Sequence, residues 1–204
     1  MGTFIPINTN PAGSYDPCWM TTGAGGLNTA IVGNGAIAGA NVLNNCVGWS
    51  QGCMLRHYCQ INDIATPVTN PFSMFNGDAE TWLTIAQNNN FPTGMTPQIG
   101  AVGVYYAPQQ NIGHVCNIEA IVNGIWEISE SHYYYPGGQG SWDYSYLQAN
   151  LIPAFIGADP DWQLLGFIYP YGTIPPAGSV GGAGGIVAKH RNLMQRKRGR
   201  TIII

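Results

Sequence analysis

Asn123-Gly124 is the feature that most constrains this chain. The dipeptide separates HVCNIEAIV from IWEISESHYYY, two runs rich in β-branched and aromatic residues. Asn and Gly tolerate the positive φ that a two-residue hairpin turn requires, so the pattern predicts an antiparallel hairpin. IGAVGVYYAP before it and WQLLGFIYP after it have the same strand character. Ahead of Pro92 the period is different. A helix is expected to open at Asn44 or Asn45, both good N-caps, with Val47, Met54, Leu55 and Tyr58 near one stripe. Beyond the prolines of TPVTNPFSMFNG, a second helix is expected from about Asp78 to Gln87. There Ala79, Trp82, Leu83 and Ala86 recur at helical spacing, and Asp78 and Glu80 suit the first turn. Helices followed by an antiparallel sheet define an α+β class.

Three regions follow from this pattern. Residues 1–40, rich in Gly, Asn and Thr, are expected to form a loop-rich segment of the domain with one short helix. Residues 41–171 form the folded domain, and 172–204 a Gly/Pro linker and an extended basic tail. The 204 residues are 45% apolar, enough for one real core, and no apolar run is long enough to cross a bilayer. The start MGTFIPINTN lacks the basic and apolar regions of a secretory signal. Five cysteines, with no C-x-x-C pair, argue against a disulfide framework and against structural zinc. Only 8% of residues are charged, so Asn, Gly, Ser, Thr and Gln supply much of the polar surface. Such a surface suits proteins that work outside a cell or within an assembly.

Three residues carry candidate chemistry. Cys46 falls where the first helix opens. A thiol there faces unpaired N–H groups and the positive end of the helix macrodipole, which favour a nucleophilic thiolate. The same residue type is also a common buried filler. His114 opens an apolar strand in IGHVCNIEAIV, as a rigidly held general base or as a cap of the sheet edge. Glu130 lies in ISESHY, either as a carboxylate that orients the base or as an exposed strand charge. Cys116 shares the face of His114 and reads as packing, as do Cys53, Cys59, Trp49, Trp82 and Trp126. Trp142 and Tyr133–Tyr135, placed beyond the strand, are expected to border a cleft.

The pieces LNNCVGWSQGCM, NGDAETW, PQIGAVGVYY, GHVCNIEAIVNG and ISESHYY, in that order, resemble the CHAP family, the cysteine, histidine-dependent amidohydrolases/peptidases. The resemblance covers about residues 40–170. It implies a papain-like fold with the helices packed on the sheet, and cleavage of amide bonds in bacterial peptidoglycan. It also implies roles: Cys46 as nucleophile, His114 as base and Glu130 as the orienting acid. Family members often carry Asn two residues after the acid. This chain has His132 there, which makes His132 the alternative third member. The Cys46 backbone N–H and the side chain of Asn45 or Asn44 are the candidate oxyanion donors. The Asp-rich calcium loop of some members has no counterpart here, so neither a metal nor any other cofactor is expected.

One geometric condition attaches to this assignment. A two-residue turn at Asn123-Gly124 pairs Val122 with Ile125 and would set His114 opposite Tyr133, leaving Glu130 on the other face. The site therefore needs one extra residue, expected as Gly124 in a three-residue loop, or else a bulge.

Charge divides the chain. Up to residue 188 there are one basic and ten acidic side chains, a formal −9, and the tail carries six basic ones, +6. No aromatic residue interleaves with the tail's charges, which disfavours nucleic acid as its partner. The terminal TIII is apolar and β-prone and could add a strand to a partner's sheet edge. These features point to a phage virion component, made in the bacterial cytoplasm and docked through its tail to virion structural proteins. It would open the host wall during entry. The alternatives are an endolysin acting in host lysis and a non-catalytic structural virion protein with a CHAP-like fold.

Overall fold

The change of period at Pro92 divides the fold. In a computed structural model the two helices precede that proline and the main sheet follows it. The structure describes residues 2–7, 16–22, 25–32, 35–36, 41–43, 45–65, 68–132, 141–148 and 162–172, with backbone alone for 31–32, 35–36, 132 and 141–148. The linker and tail beyond Gly172 lie outside these residues.

The first helix, α1, runs Cys46–Asn62. Asn45 is extended (φ −136°, ψ 138°), and its Oδ1 accepts the N–H groups of Val47 at 2.9 Å and Gly48 at 3.1 Å. Such a cap contributes about 1 kcal/mol. Asp63 ends the helix in the left-handed region, with its N–H turned back to the carbonyls of Cys59 and Gln60. Val47, Met54 and Leu55 are buried as expected and Tyr58 packs beside them, but α1 is enclosed on more than one stripe. Gly48 and Gly52, one turn apart, make this possible. A Cβ at Gly48 would run into the Val42 carbonyl, and one at Gly52 into the Trp19 indole. Gln51, fully buried, fastens two loops to the helix. Its Oε1 accepts the Thr29 N–H at 2.6 Å, and its Nε2 donates to the Phe75 carbonyl at 2.6 Å.

Residues 1–40 hold no helix among those described. They form turns and a ribbon of β1 (Ile31–Val32) and β2 (Gly35–Ala36). The expected second helix is a 3-10 turn, Ala79–Thr81, leading into α2 (Trp82–Asn88). Trp82 and Ala86 are buried there against Phe75 and the core under α1.

The sheet has five principal strands and a two-residue edge strand. They are β3 (Thr93–Gly94), β4 (Val102–Ala107), β5 (Ile112–Val122), β6 (Ile125–His132), β7 (Ser141–Gln148) and β8 (Gln163–Ile168). The order is β3-β8-β4-β5-β6-β7, every pair antiparallel. β3 and β7 had no counterpart in the expected strands. Trp142, beyond β6 in sequence, lies in a further strand, β7, opposite Ser131; Tyr133–Tyr135 lie outside the described residues. Both faces of the sheet are covered. Val102, Val104, Val115 and Ile168 join the core beneath α1 and α2, while Tyr105, Cys116, Ile118, Ile128 and Phe167 pack in a second cluster with Trp126 and Trp162. The α+β expectation therefore holds, with two helices packed on an antiparallel sheet.

The hairpin corrects one expectation. Asn123 (φ 52°) and Gly124 (φ 80°) both take positive φ, and Val122 pairs with Ile125, so the loop is complete in two residues. The extra residue sits further back, in β5. Ile118 pairs with Ile128 and Ala120 with Glu127, which leaves Glu119 as a bulge. Beyond it Asn117 pairs with Ser129, and the same register sets Glu130 opposite Cys116. Glu130 thereby shares the face of His114, one position along.

Candidate active site

Of the five cysteines, all free, Cys46 alone is not buried. It is the first residue of α1, directly after the Asn45 cap. The cap takes the N–H groups of Val47 and Gly48, and the Asn45 carbonyl takes that of Trp49 at 2.7 Å. Among the first-turn donors, the Cys46 N–H is thus the one that neither cap nor helix uses. The other four thiols sit where a thiolate is disfavoured. Burial, aided by neighbouring Cys59, pushes Cys18 up to about 12. Burial and the charge of Glu119 raise Cys53, burial and the charge of Glu130 raise Cys116, and burial raises Cys59.

His114, second in from the Gly113 start of the apolar stretch, pairs with Tyr105 across β4. Its ring is buried, with Nε2 3.0 Å from Glu130 Oε2. Glu130 is fully buried, not an exposed strand charge. Cys46 lies close enough to the His114 ring to act on its basicity. Burial lowers the basicity of the ring, but the hydrogen bonds to Cys46 and Glu130, with their charges, outweigh it and lift His114 from 6.5 to about 9. The site thus favours an imidazolium held between sulfur and carboxylate.

The chain brings Cys46, His114 and Glu130 together through a layer of polar contacts between α1 and the sheet. Ser50 Oγ, one turn past Cys46, donates to the Val115 carbonyl at 3.5 Å and accepts from Asn117 Nδ2 at 3.2 Å. Trp49 Nε1 donates to Ser129 Oγ at 3.1 Å. These bonds tie the start of α1 to the two strands that carry His114 and Glu130. Deeper in the same layer, Ser129 Oγ donates to Glu119 Oε1 at 2.6 Å. Glu119 Oε2 accepts the Ile7 N–H at 2.9 Å and lies 3.1 Å from His57 Nε2. The His57 Nε2 is not aligned for a hydrogen bond there.

Sequence reasoning did not single out Ser50, His57, Asn117, Glu119 or Ser129. A signal was present. Asn117 and Glu119 interrupt an apolar strand at period two, and Ser50, Cys53 and His57 share a face of α1. Of the remaining candidates, Asn45 spends its oxygen on the cap and retains Nδ2 as a donor. Asn44 lies outside the described residues. The backbone of His132 pairs with Ser141 in β6–β7, and its side chain lies outside them. No group of three or more His, Cys, Asp or Glu among the described residues could hold a metal ion. None of the described helices is long and apolar enough to cross a membrane.

A cysteine at a helix N-terminus, a histidine and a buried carboxylate make an arrangement able to perform nucleophilic acyl transfer. No known family model matches the chain, and no curated protein matches it.

Proposed function

We propose that this chain is a CHAP-type cysteine hydrolase of papain-like fold that cleaves amide bonds of bacterial peptidoglycan, and that it acts from a phage virion, in the tail, during host entry. The observation that carries the reading is the His114 ring, 3.0 Å from the buried Glu130 carboxylate and close to Cys46, the one cysteine that is not buried. The ordered motifs supply the substrate class, and the basic tail supplies the virion partner.

The chemistry follows from the geometry. His114 takes the Cys46 proton, and Glu130 stabilises the resulting imidazolium and fixes its ring. The sulfur attacks the amide carbon, and the carbonyl oxygen takes up the negative charge. The Cys46 N–H and Asn45 Nδ2 are the donors proposed for that oxygen. The imidazolium then gives its proton to the leaving nitrogen as the C–N bond breaks, producing a thioester. Water, deprotonated by His114, attacks the thioester, the acid is released and the sulfur is freed.

Zymography on purified cell walls with wild type and Cys46→Ala tests the enzyme. Clearing by the wild type and none by the variant, with new termini identified by mass spectrometry, is the expected result. Equal clearing by both would end the assignment. Deleting residues 172–204 is expected to leave hydrolysis intact and abolish incorporation into particles; normal incorporation would remove the virion role and favour an endolysin.

A further inference from the structure

Glu119 is costly where it stands. It is fully buried, and the effective penalty for an ion in such a place is several kcal/mol unless partners offset it. Its three partners come from three separate pieces of chain. Ile7 belongs to the N-terminal segment, His57 to α1 and Ser129 to β6. The segment 2–7 is itself laid along the end of α1. The Gly2 N–H donates to the Ile61 carbonyl at 3.1 Å, the Ile5 N–H to Gln60 Oε1 at 3.1 Å, and the Phe4 ring lies 4.2 Å from the His57 ring. Glu119 is also the bulged residue. Without one extra residue at that point, Glu130 would sit opposite Asn117 and face away from His114.

We infer that Glu119 is a positioning residue for the hydrolase site, and that the N-terminal segment 2–7 acts as a strap that holds it in place. Its carboxylate pins the bulge that brings Glu130 onto the face of His114. Through His57 and Ser129 it also couples that register to α1, which carries Cys46. The role is distinct from that of the three reacting residues, because Glu119 touches none of them. The inference rests on the hydrolase reading above, and its test separates the two.

The measurement is the pH dependence of Cys46 alkylation by iodoacetamide in the full-length protein, with Cys46→Ala as blank, beside kcat and KM on cell walls. The wild-type profile is expected to carry an inflection from His114 near 9 that is lost in His114→Ala. In Glu119→Ala the inflection moves toward 6.5, and kcat falls about 100-fold with little change in KM, as expected for a displacement on the order of 1 Å. Glu119→Gln keeps one acceptor oxygen, for the Ile7 N–H, and presents its NH2 to Ser129 Oγ, which can accept, so it recovers kcat to within about tenfold of wild type. A folded Glu119→Ala with the wild-type inflection and kcat overturns the inference and leaves the hydrolase reading standing. If Glu119→Ala does not fold, Ser129→Ala decides in the same way: a shifted inflection supports the inference and an unshifted one refutes it. A wild-type profile identical to that of His114→Ala would instead overturn the hydrolase reading, and the inference with it.

Discussion

Glu130→Gln tests the electrostatic core of the site. The substitution preserves shape and leaves an oxygen to accept from His114 Nε2, but removes the charge. The lift of His114 from 6.5 to about 9 corresponds to about 3 kcal/mol of preference for the imidazolium, supplied by Cys46 and Glu130 against the opposing effect of burial. If the Glu130 charge accounts for half of that net lift, losing it forfeits about 1.5 kcal/mol. That lowers kcat/KM about tenfold and moves the basic limb of the pH–rate profile down by about one pH unit. The largest deficit is therefore expected between about pH 8 and 9, where the wild-type ring still holds its proton and that of the variant does not. Turbidity loss of purified walls from pH 5 to 10 reads both effects. Limbs that superimpose, with equal plateaus, would refute the role of Glu130. A basic limb that moves in His132→Ala and stays in Glu130→Gln would transfer the role to His132.

Stability should follow the same proton. The folded-state value of His114 lies above its unfolded value, so its contribution is complete below about pH 6.5 and is lost as pH rises through about 9. Urea unfolding of the wild type is expected to show a loss of up to about 3 kcal/mol across that window, and His114→Gln a flatter profile. Asn45→Ser keeps an N-cap oxygen but removes Nδ2; unchanged urea stability with a roughly 100-fold lower kcat is expected, and an unchanged kcat would leave the oxyanion to the Cys46 N–H. Gly52→Ala drives a methyl into the Trp19 indole and should cost about 1–3 kcal/mol in urea unfolding.

What could be read from the sequence was what short-range chemistry decides. Asn123-Gly124 makes its own turn, and Asn45 makes its own cap, so the hairpin and the start of α1 were legible in a few residues. The three candidate residues of the site could be named because each sits at a defined place on such an element. The enclosure of α1 was less so, because Gly48 and Gly52 reveal nothing until Val42 and Trp19 arrive against them. β7 did carry a sign: Trp142, Tyr144 and Tyr146 alternate with Asp143 and Ser145 in SWDYSYLQ. The position of the bulge had no local sign at all. It depends on a carboxylate whose partners come from Ile7, His57 and Ser129, so the need for an extra residue could be deduced but not its place.

The two buried carboxylates explain why this register persists against its neighbours. Glu119 packs with Trp49, Cys53 and His57 of α1 through Ser129, whereas Glu130 lies on the face of His114 and Cys116. A slip of β6 by one residue would turn Glu130 toward α1 and away from His114, and would withdraw Ser129 from Glu119. Glu130 would then be buried without its partner, at a cost of about 3–5 kcal/mol, and Glu119 would lose one of its three. That is a large share of the whole stability of an ordinary domain, about 5–15 kcal/mol. The alternative pairing is therefore excluded by charge as much as by hydrophobic contact. The register that avoids stranding a charge in the core is the same one that assembles Cys46, His114 and Glu130.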